Sequence, residues 1–180
     1  AQVAMAKFFR PGDWRSGYYR DQTFIFAAGI ATTQQFFAQL YADPNHANEP
    51  FSGGRQMSNH FTSPNYNNKG ELVDLANQKN IATDMAPTAA QMPRSIGLAL
   101  ASKLFRQSPV LKNMNQLSDG GNEICFTTIG DASTSEGHFW ETRPGDVSAE
   151  DCLLPFCLQK CPGQHSHCAL SVGAGYSHQG

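Results

Sequence analysis

Apolar and polar residues alternate along this chain with two periods. Residues 31–42, ATTQQFFAQLYA, set Phe36, Phe37, Leu40 and Tyr41 three and four apart, which predicts a short amphipathic helix with Thr33 able to cap it. Residues 88–107, TAAQMPRSIGLALASKLFRQ, repeat the helical spacing through Met92, Ile96, Ala99, Leu100, Lys103 and Leu104, with Pro93 close enough to the start to be tolerated. Residues 124–129 form a short apolar run with β-branched positions, the pattern of a strand covered on both faces. The N-terminal stretch ending RPGDWRSGYYRD carries Pro11, Gly12 and Gly17 and reads as loop leading into an ordered segment. Residues 43–69 hold three prolines, two adjacent glycines and many asparagines. They read as a long loop, and a loop of that length in a compact domain is usually functional. Helix, Gly-rich turn, buried strand, then turn and helix is an α/β pattern: a parallel sheet flanked by helices, with ligands beyond the carboxyl ends of the strands.

Length and charge narrow the partners. The 180 residues allow one ordinary domain with a sizeable core. Thirteen Lys and Arg against fifteen Asp and Glu, mixed along the chain, give a net charge of -2 and point to neither nucleic acid nor anionic lipid. No apolar run approaches the ~20 residues of a membrane span, so a soluble, cytoplasmic protein is expected. Of five cysteines, Cys125 reads as a buried thiol in a reducing compartment, while Cys152, Cys157, Cys161 and Cys168 crowd into the last thirty residues.

The candidate chemistry follows the predicted strand, in GDASTSEG. Ser133 and Glu136 have the spacing of a capping box, which predicts a helix beginning near Thr134 with backbone N–H groups facing outward for a phosphate. Asp131 stands two residues ahead of that cap. Its carboxylate would repel a phosphate unless a hard cation such as Mg²⁺ lies between them. The same residues also suit an ordinary strand-to-helix junction.

Four blocks, GYYRD (17–21), GGRQMSNHF (53–61), APTAAQMPRSIGLALASK (86–103) and IGDASTSEGHFWET (129–142), together resemble the α-type E1 component of thiamine-diphosphate-dependent 2-oxoacid dehydrogenases. GRQM-x-x-H and the helix opening Q-x-P resemble the branched-chain branch, which includes bacterial forms with α and β parts fused. The resemblance covers about residues 8–142 and implies a partial thiamine-diphosphate-binding α/β fold, incomplete on its C-terminal side. It implies thiamine diphosphate and Mg²⁺ as cofactors and oxidative decarboxylation of a branched-chain 2-oxo acid, with the acyl group passing to the lipoyl arm of an E2 partner. It also implies an oligomer containing an E1 β part, which supplies the glutamate acting on the cofactor.

Position by position, Asp131 resembles the family's Mg²⁺ ligand, and Gly130, Ala132 and Ser133 resemble the backbone that cradles the diphosphate. Tyr19 and Arg20 resemble the pair that reaches the diphosphate, a role suited to the guanidinium fork. Thr88 would offer backbone to the cofactor, and His60 resembles a histidine near the active centre. Gln91 and Pro87 fall where relatives hold a monovalent cation, although Ala86 and Ala90 replace the hydroxyl residues found there. Without the resemblance, Arg20 would be a solvated loop charge and His60 a surface residue. Met57, Met92 and Phe139 read as packing residues.

The chain leaves the family pattern after Thr142. A carbonyl ligand for Mg²⁺ is expected from an Asn about 25 to 30 residues beyond the Gly-Asp pair, yet no Asn follows Asn122. Residues 143–180 read as a Cys/His-rich tail, disordered or out of frame, and the chain is expected to be inactive alone. The alternative is a noncatalytic α/β module whose tail cysteines, with His165 and His167, bind zinc or a partner. The tail lacks the paired C-x2-C knuckle of common zinc sites.

Overall fold

The computed structural model describes residues 1–142 and the backbone of two short strands, 156–159 and 170–171. The zinc-binding alternative and most of the tail fall outside the described residues. The element order is α1 (Gln2–Phe8), β1 (Trp14–Ser16), α2 (Gln22–Ala27), α3 (Thr33–Leu40), β2 (Asn80–Ile81), α4 (Gln91–Gln107) and β3 (Cys125–Gly130). A 3-10 turn (Ala132–Ser135), α5 (Gly137–Glu141), β4 (Phe156–Gln159) and β5 (Leu170–Ser171) follow. No helix among the described residues is long and apolar enough to cross a membrane.

The strands lie in the order β2-β1-β3-β4-β5. β1 runs parallel to both β2 and β3, so helices must carry the chain back between them, as the α/β pattern predicts. β4 continues parallel on β3, and β5 turns back antiparallel. Because the chain moves from β1 first to β2 on one side and then to β3 on the other, the strand order reverses between β1 and β3. The crevice at such a reversal, beyond the carboxyl ends of the strands, is where α/β folds place ligands.

The main core joins α1, α2 and the long loop to the sheet. Phe9 packs edge-on against Phe24 and Phe126, with ring centroids 5.1 and 5.5 Å apart, and Phe51 meets Phe61 at 5.1 Å. A smaller cluster of Ala89, Met92 and Ile129, with Phe139 against it, seals the junction of α4, β3 and α5. Met92 and Phe139 thus pack as expected, whereas Met57 is exposed.

All six residues of β3 are buried, as the apolar run implied. Among them Cys125 has its thiol pushed up to about 12 by burial, against weaker help from Thr127 and the Ser16 backbone. Thiolate is the reactive form, so Cys125 should resist iodoacetamide at pH 8 in the folded protein and react once urea unfolds it. Peptide mapping of the alkylated cysteines checks this, and rapid native labelling of Cys125 would contradict it.

Several expectations are corrected. The N-terminal stretch is not loop: it holds α1 and β1, and β1 lies inside the sheet between β2 and β3. Its Trp-Arg-Ser sequence has no apolar alternation because the buried Arg15 is neutralised by distant carboxylates. Thr32, not Thr33, caps α3: Gln35 N donates to Thr32 Oγ1 at 3.2 Å, and Thr32 N donates to Gln35 Oε1 at 2.9 Å. α4 begins at Gln91 rather than Thr88, since Ala89 takes the left-handed φ of 63°. Pro93 is then the third helical residue, where a missing N–H breaks no intrahelical bond.

Candidate functional site

The site is built from segments that follow the carboxyl ends of β1 and β3, with the start of α4 beside them. β3 delivers Gly130, Asp131, Ala132 and Ser133 into a tight turn. The capping box expected there does not form, and Ser133 caps no helix. Thr134 Oγ1 donates to Asp131 O at 2.6 Å and Ser135 Oγ to Ala132 O at 2.7 Å. These local bonds compete with an α-helical ladder, and the chain closes a 3-10 turn before α5 starts at Gly137. Thr134 N and Glu136 N donate to the carbonyls of Asp131 and Ser133 at 3.1 and 3.2 Å. With that i-to-i+3 pattern opening at Asp131, the N–H groups of Ala132 and Ser133 have no partner within the turn. They are donors suited to an anion.

The loop after β1 reaches the same turn. A β-carbon at Gly130 would stand 3.5 Å from the Tyr18 hydroxyl oxygen and 3.4 Å from Ser133 Oγ. Tyr18 is buried, and the Arg20 side chain beside its hydroxyl pulls the phenol down while burial and Asp21 push it up. The Arg20 guanidinium also lies over the Tyr19 ring, 4.9 Å from its centroid. Tyr19 itself is 44% exposed, so Tyr18 is the ring that meets the turn.

α4 closes another side. Gln91 Nε2 donates to Thr128 O at 3.0 Å, and Ser16 Oγ donates to Gln91 O at 2.9 Å, fixing the helix start against β1 and β3. The Gln91 carboxamide is therefore engaged in packing the helix. Thr88 is exposed, and its carbonyl faces His138 Nδ1 of α5 at 3.3 Å. His60 is buried with Nδ1 3.2 Å from Ser58 O, so that nitrogen carries a proton. No hydrogen bond joins His60 to the 130–133 turn among the described residues.

Beneath these loops lies a charge cluster that the sequence pattern did not reveal. Arg15 Nε and Nη2 donate to Asp21 Oδ2 at 2.9 and 2.6 Å, and Nη1 donates to Asp84 Oδ1 at 2.7 Å. All three side chains are fully buried. Asp21 also accepts from Gln2 Nε2 at 3.0 Å and from the Thr128 hydroxyl, while Phe61 N donates to Asp84 Oδ2 at 3.1 Å. The cluster thus ties α1, the loop after β1, the His60–Phe61 segment and β3 into one unit. Burial opposes the charge on Arg15, but Asp84 and Asp21 outweigh it and raise its pKa. Burial raises the Asp84 pKa, with Arg15 and the Phe61 N–H pulling the other way. Gly17 leaves room for this arrangement, since a β-carbon there would collide with Asp21 Oδ2 and Arg15 Nε.

Glu49 organises the GGRQ loop in a similar way. It accepts from the N–H groups of Phe51, Ser52 and Gly54 and from Ser52 Oγ at 2.7–2.9 Å. Burial alone would push this carboxyl up, but those donors hold it below its ordinary value of 4.5. A depressed carboxylate stabilises the fold above its unfolded pKa, and that contribution is lost as pH falls through the folded one. Hydrogen exchange of the Ser52 and Gly54 amides should rise below pH 4.5 after correction for intrinsic rate, and a flat profile would contradict this.

The arrangement suits an anion better than a caged metal. Among the described residues no group of three or more His, Cys, Asp or Glu side chains comes together. Asp131 could supply one oxygen ligand to a hydrated Mg²⁺ that also takes phosphate oxygens, the manner in which Mg²⁺ is commonly held.

Known proteins resemble this chain in sequence. Over 143 residues the chain is 29% identical to the 2-oxoisovalerate dehydrogenase subunit alpha of Bacillus subtilis (strain 168), a stretch that covers 78% of this chain and 34% of that protein. The chain thus spans about a third of that relative's length. The family model described as dehydrogenase E1 component matches residues 1–143, from α1 through the end of α5, and the chain belongs to that family.

Proposed function

We propose that this chain is the N-terminal part of an α-type E1 component that binds thiamine diphosphate with Mg²⁺ and acts on a branched-chain 2-oxo acid. Family membership supports the cofactor and the reaction class. The likeness to the 2-oxoisovalerate dehydrogenase subunit supports the substrate branch. In such an enzyme the cofactor supplies the decarboxylation chemistry, and the acyl product passes to the lipoyl group of an E2 partner. An E1 β part, fused or separate, completes the active centre.

The observation that carries this reading is the turn at the end of β3. The N–H groups of Ala132 and Ser133, which have no partner within the turn, share it with Asp131, and the Tyr18 hydroxyl lies against Gly130 with the Arg20 side chain beside it. In this reading Gly130, Ala132, Ser133 and Arg20 hold the diphosphate, Asp131 ligates Mg²⁺, and Tyr19 stacks beneath the Arg20 guanidinium. Thr88 contributes backbone beside α5, and His60 stands ready at the edge to exchange a proton through Nε2. The carbonyl ligand from an Asn is missing from this sequence, so the 180-residue chain binds the cofactor weakly and does not turn over alone.

Competition between ligands tests the reading. Titration calorimetry should show thiamine diphosphate and inorganic pyrophosphate binding the chain while thiamine does not. Equal binding of thiamine and thiamine diphosphate would sink it, whereas release of CO₂ from a branched-chain 2-oxo acid by the isolated chain would overturn only the expected inactivity.

A further inference from the structure

The family resemblance gives the diphosphate to Tyr19 and Arg20, yet the side chain that touches the turn is Tyr18. We propose that Tyr18 is a positioning residue of the diphosphate site: its hydroxyl, set between the Arg20 guanidinium and Gly130, fixes that guanidinium beside the N–H groups of Ala132 and Ser133. This inference rests on the diphosphate reading above.

Three features fix the Tyr18 ring in place. Its backbone is clamped on both sides by the buried cluster, with Tyr18 N donating to Asp21 Oδ2 at 3.3 Å and Tyr18 O accepting from Arg15 Nη2 at 2.9 Å. Its ring meets that of Tyr19 edge-on at 5.5 Å, so the exposed tyrosine shields the buried one. Its hydroxyl lies where a β-carbon on Gly130 would be 3.5 Å away, leaving contact but no spare space. Burial and the nearby Asp21 push the phenol up to about 12, so the hydroxyl stays neutral across the physiological range and can accept from the Arg20 side chain beside it.

The long arginine side chain carries much rotamer entropy, which a preset hydrogen bond and a stacked ring reduce before an anion arrives. Tyr18 therefore acts through Arg20, and that dependence separates it from a residue that merely packs. Phenylalanine at this position keeps the ring and loses only the hydroxyl.

The test is a double-mutant cycle on the 180-residue chain, with inorganic pyrophosphate as the probe and calorimetry as the readout. Y18F should weaken binding about 5- to 10-fold, within the range expected for the loss of one ordinary hydrogen bond. In the R20A background the same substitution should change nothing. The Arg20 Nε–H and Gly130 amide signals in nitrogen-15 NMR spectra should shift in Y18F and hold in Y19F. Pyrophosphate binding unchanged by Y18F, or weakened equally with and without Arg20, overturns the role of Tyr18 alone. A wild-type chain that binds no pyrophosphate overturns the diphosphate reading and this inference together.

Discussion

Replacing Arg15 with methionine is expected to destabilise the protein by about 3–5 kcal/mol, because removing one partner of a buried ion pair strands the other. Here two carboxylates, Asp21 and Asp84, would lose a partner bonded at 2.6 and 2.7 Å, with neither exposed to water. The damage should also have a place. Asp21 holds the Tyr18 backbone and Asp84 holds that of Phe61, so the loop after β1 and the His60–Phe61 segment should loosen together. Urea unfolding followed by circular dichroism gives the first number, and hydrogen exchange at the Tyr18 and Phe61 amides gives the second. Neutralising all three groups at once, in R15M/D21N/D84N, should recover much of the loss, since a buried ion cluster stabilises little relative to an uncharged equivalent. A loss below about 1 kcal/mol in R15M, within the range of exposed pairs, would show that water reaches the cluster.

Arg20→Ala should weaken pyrophosphate binding roughly 10- to 100-fold, corresponding to about 1.5–3 kcal/mol for hydrogen bonds to a charged partner. The guanidinium lies over the Tyr19 ring, and in the proposed site the Tyr18 hydroxyl holds it beside the turn. Lysine should restore only part of the affinity, because an ammonium cannot reproduce the planar fork that meets two phosphate oxygens. The residual affinity of R20A reports the backbone donors of Ala132 and Ser133. Calorimetric titration of wild type, R20A and R20K separates these contributions. Equal affinity in all three would place the anion elsewhere.

Comparing these residues with the sequence shows which physical signals a chain carries locally. β3 was legible because a strand covered on both faces is mostly apolar and β-branched, and α4 because Ala and Leu repeat at helical spacing. β1 was hidden: its middle residue is Arg15, whose burial is balanced by carboxylates 6 and 69 positions along the chain. Local pattern cannot register a pairing of that separation. α3 was legible as a helix but not in its orientation. Phe37 is half-exposed and Tyr41, just past the helix, is largely exposed, while Gln39 is buried and bonds the backbone of Asn59 and His60. Gly130 to Ser133 were legible as a turn after β3, yet the capping box failed because Thr134 and Ser135 turned their hydroxyls onto nearby carbonyls. Tyr18 and Tyr19 look equivalent in GYYRD, and only the fold separates the buried ring from the exposed one.

The most direct test of the account is the Mg²⁺ dependence of thiamine diphosphate binding to the 180-residue chain. The turn supplies anion donors and one carboxylate, while no Asn follows Asn122 to give the metal its carbonyl ligand. The account predicts weak binding, with a Kd on the order of 1 mM or about −4 kcal/mol, that follows the diphosphate and gains little from Mg²⁺. Saturable binding in the nanomolar range that collapses when Mg²⁺ is chelated would contradict it and show that this chain holds a complete metal site.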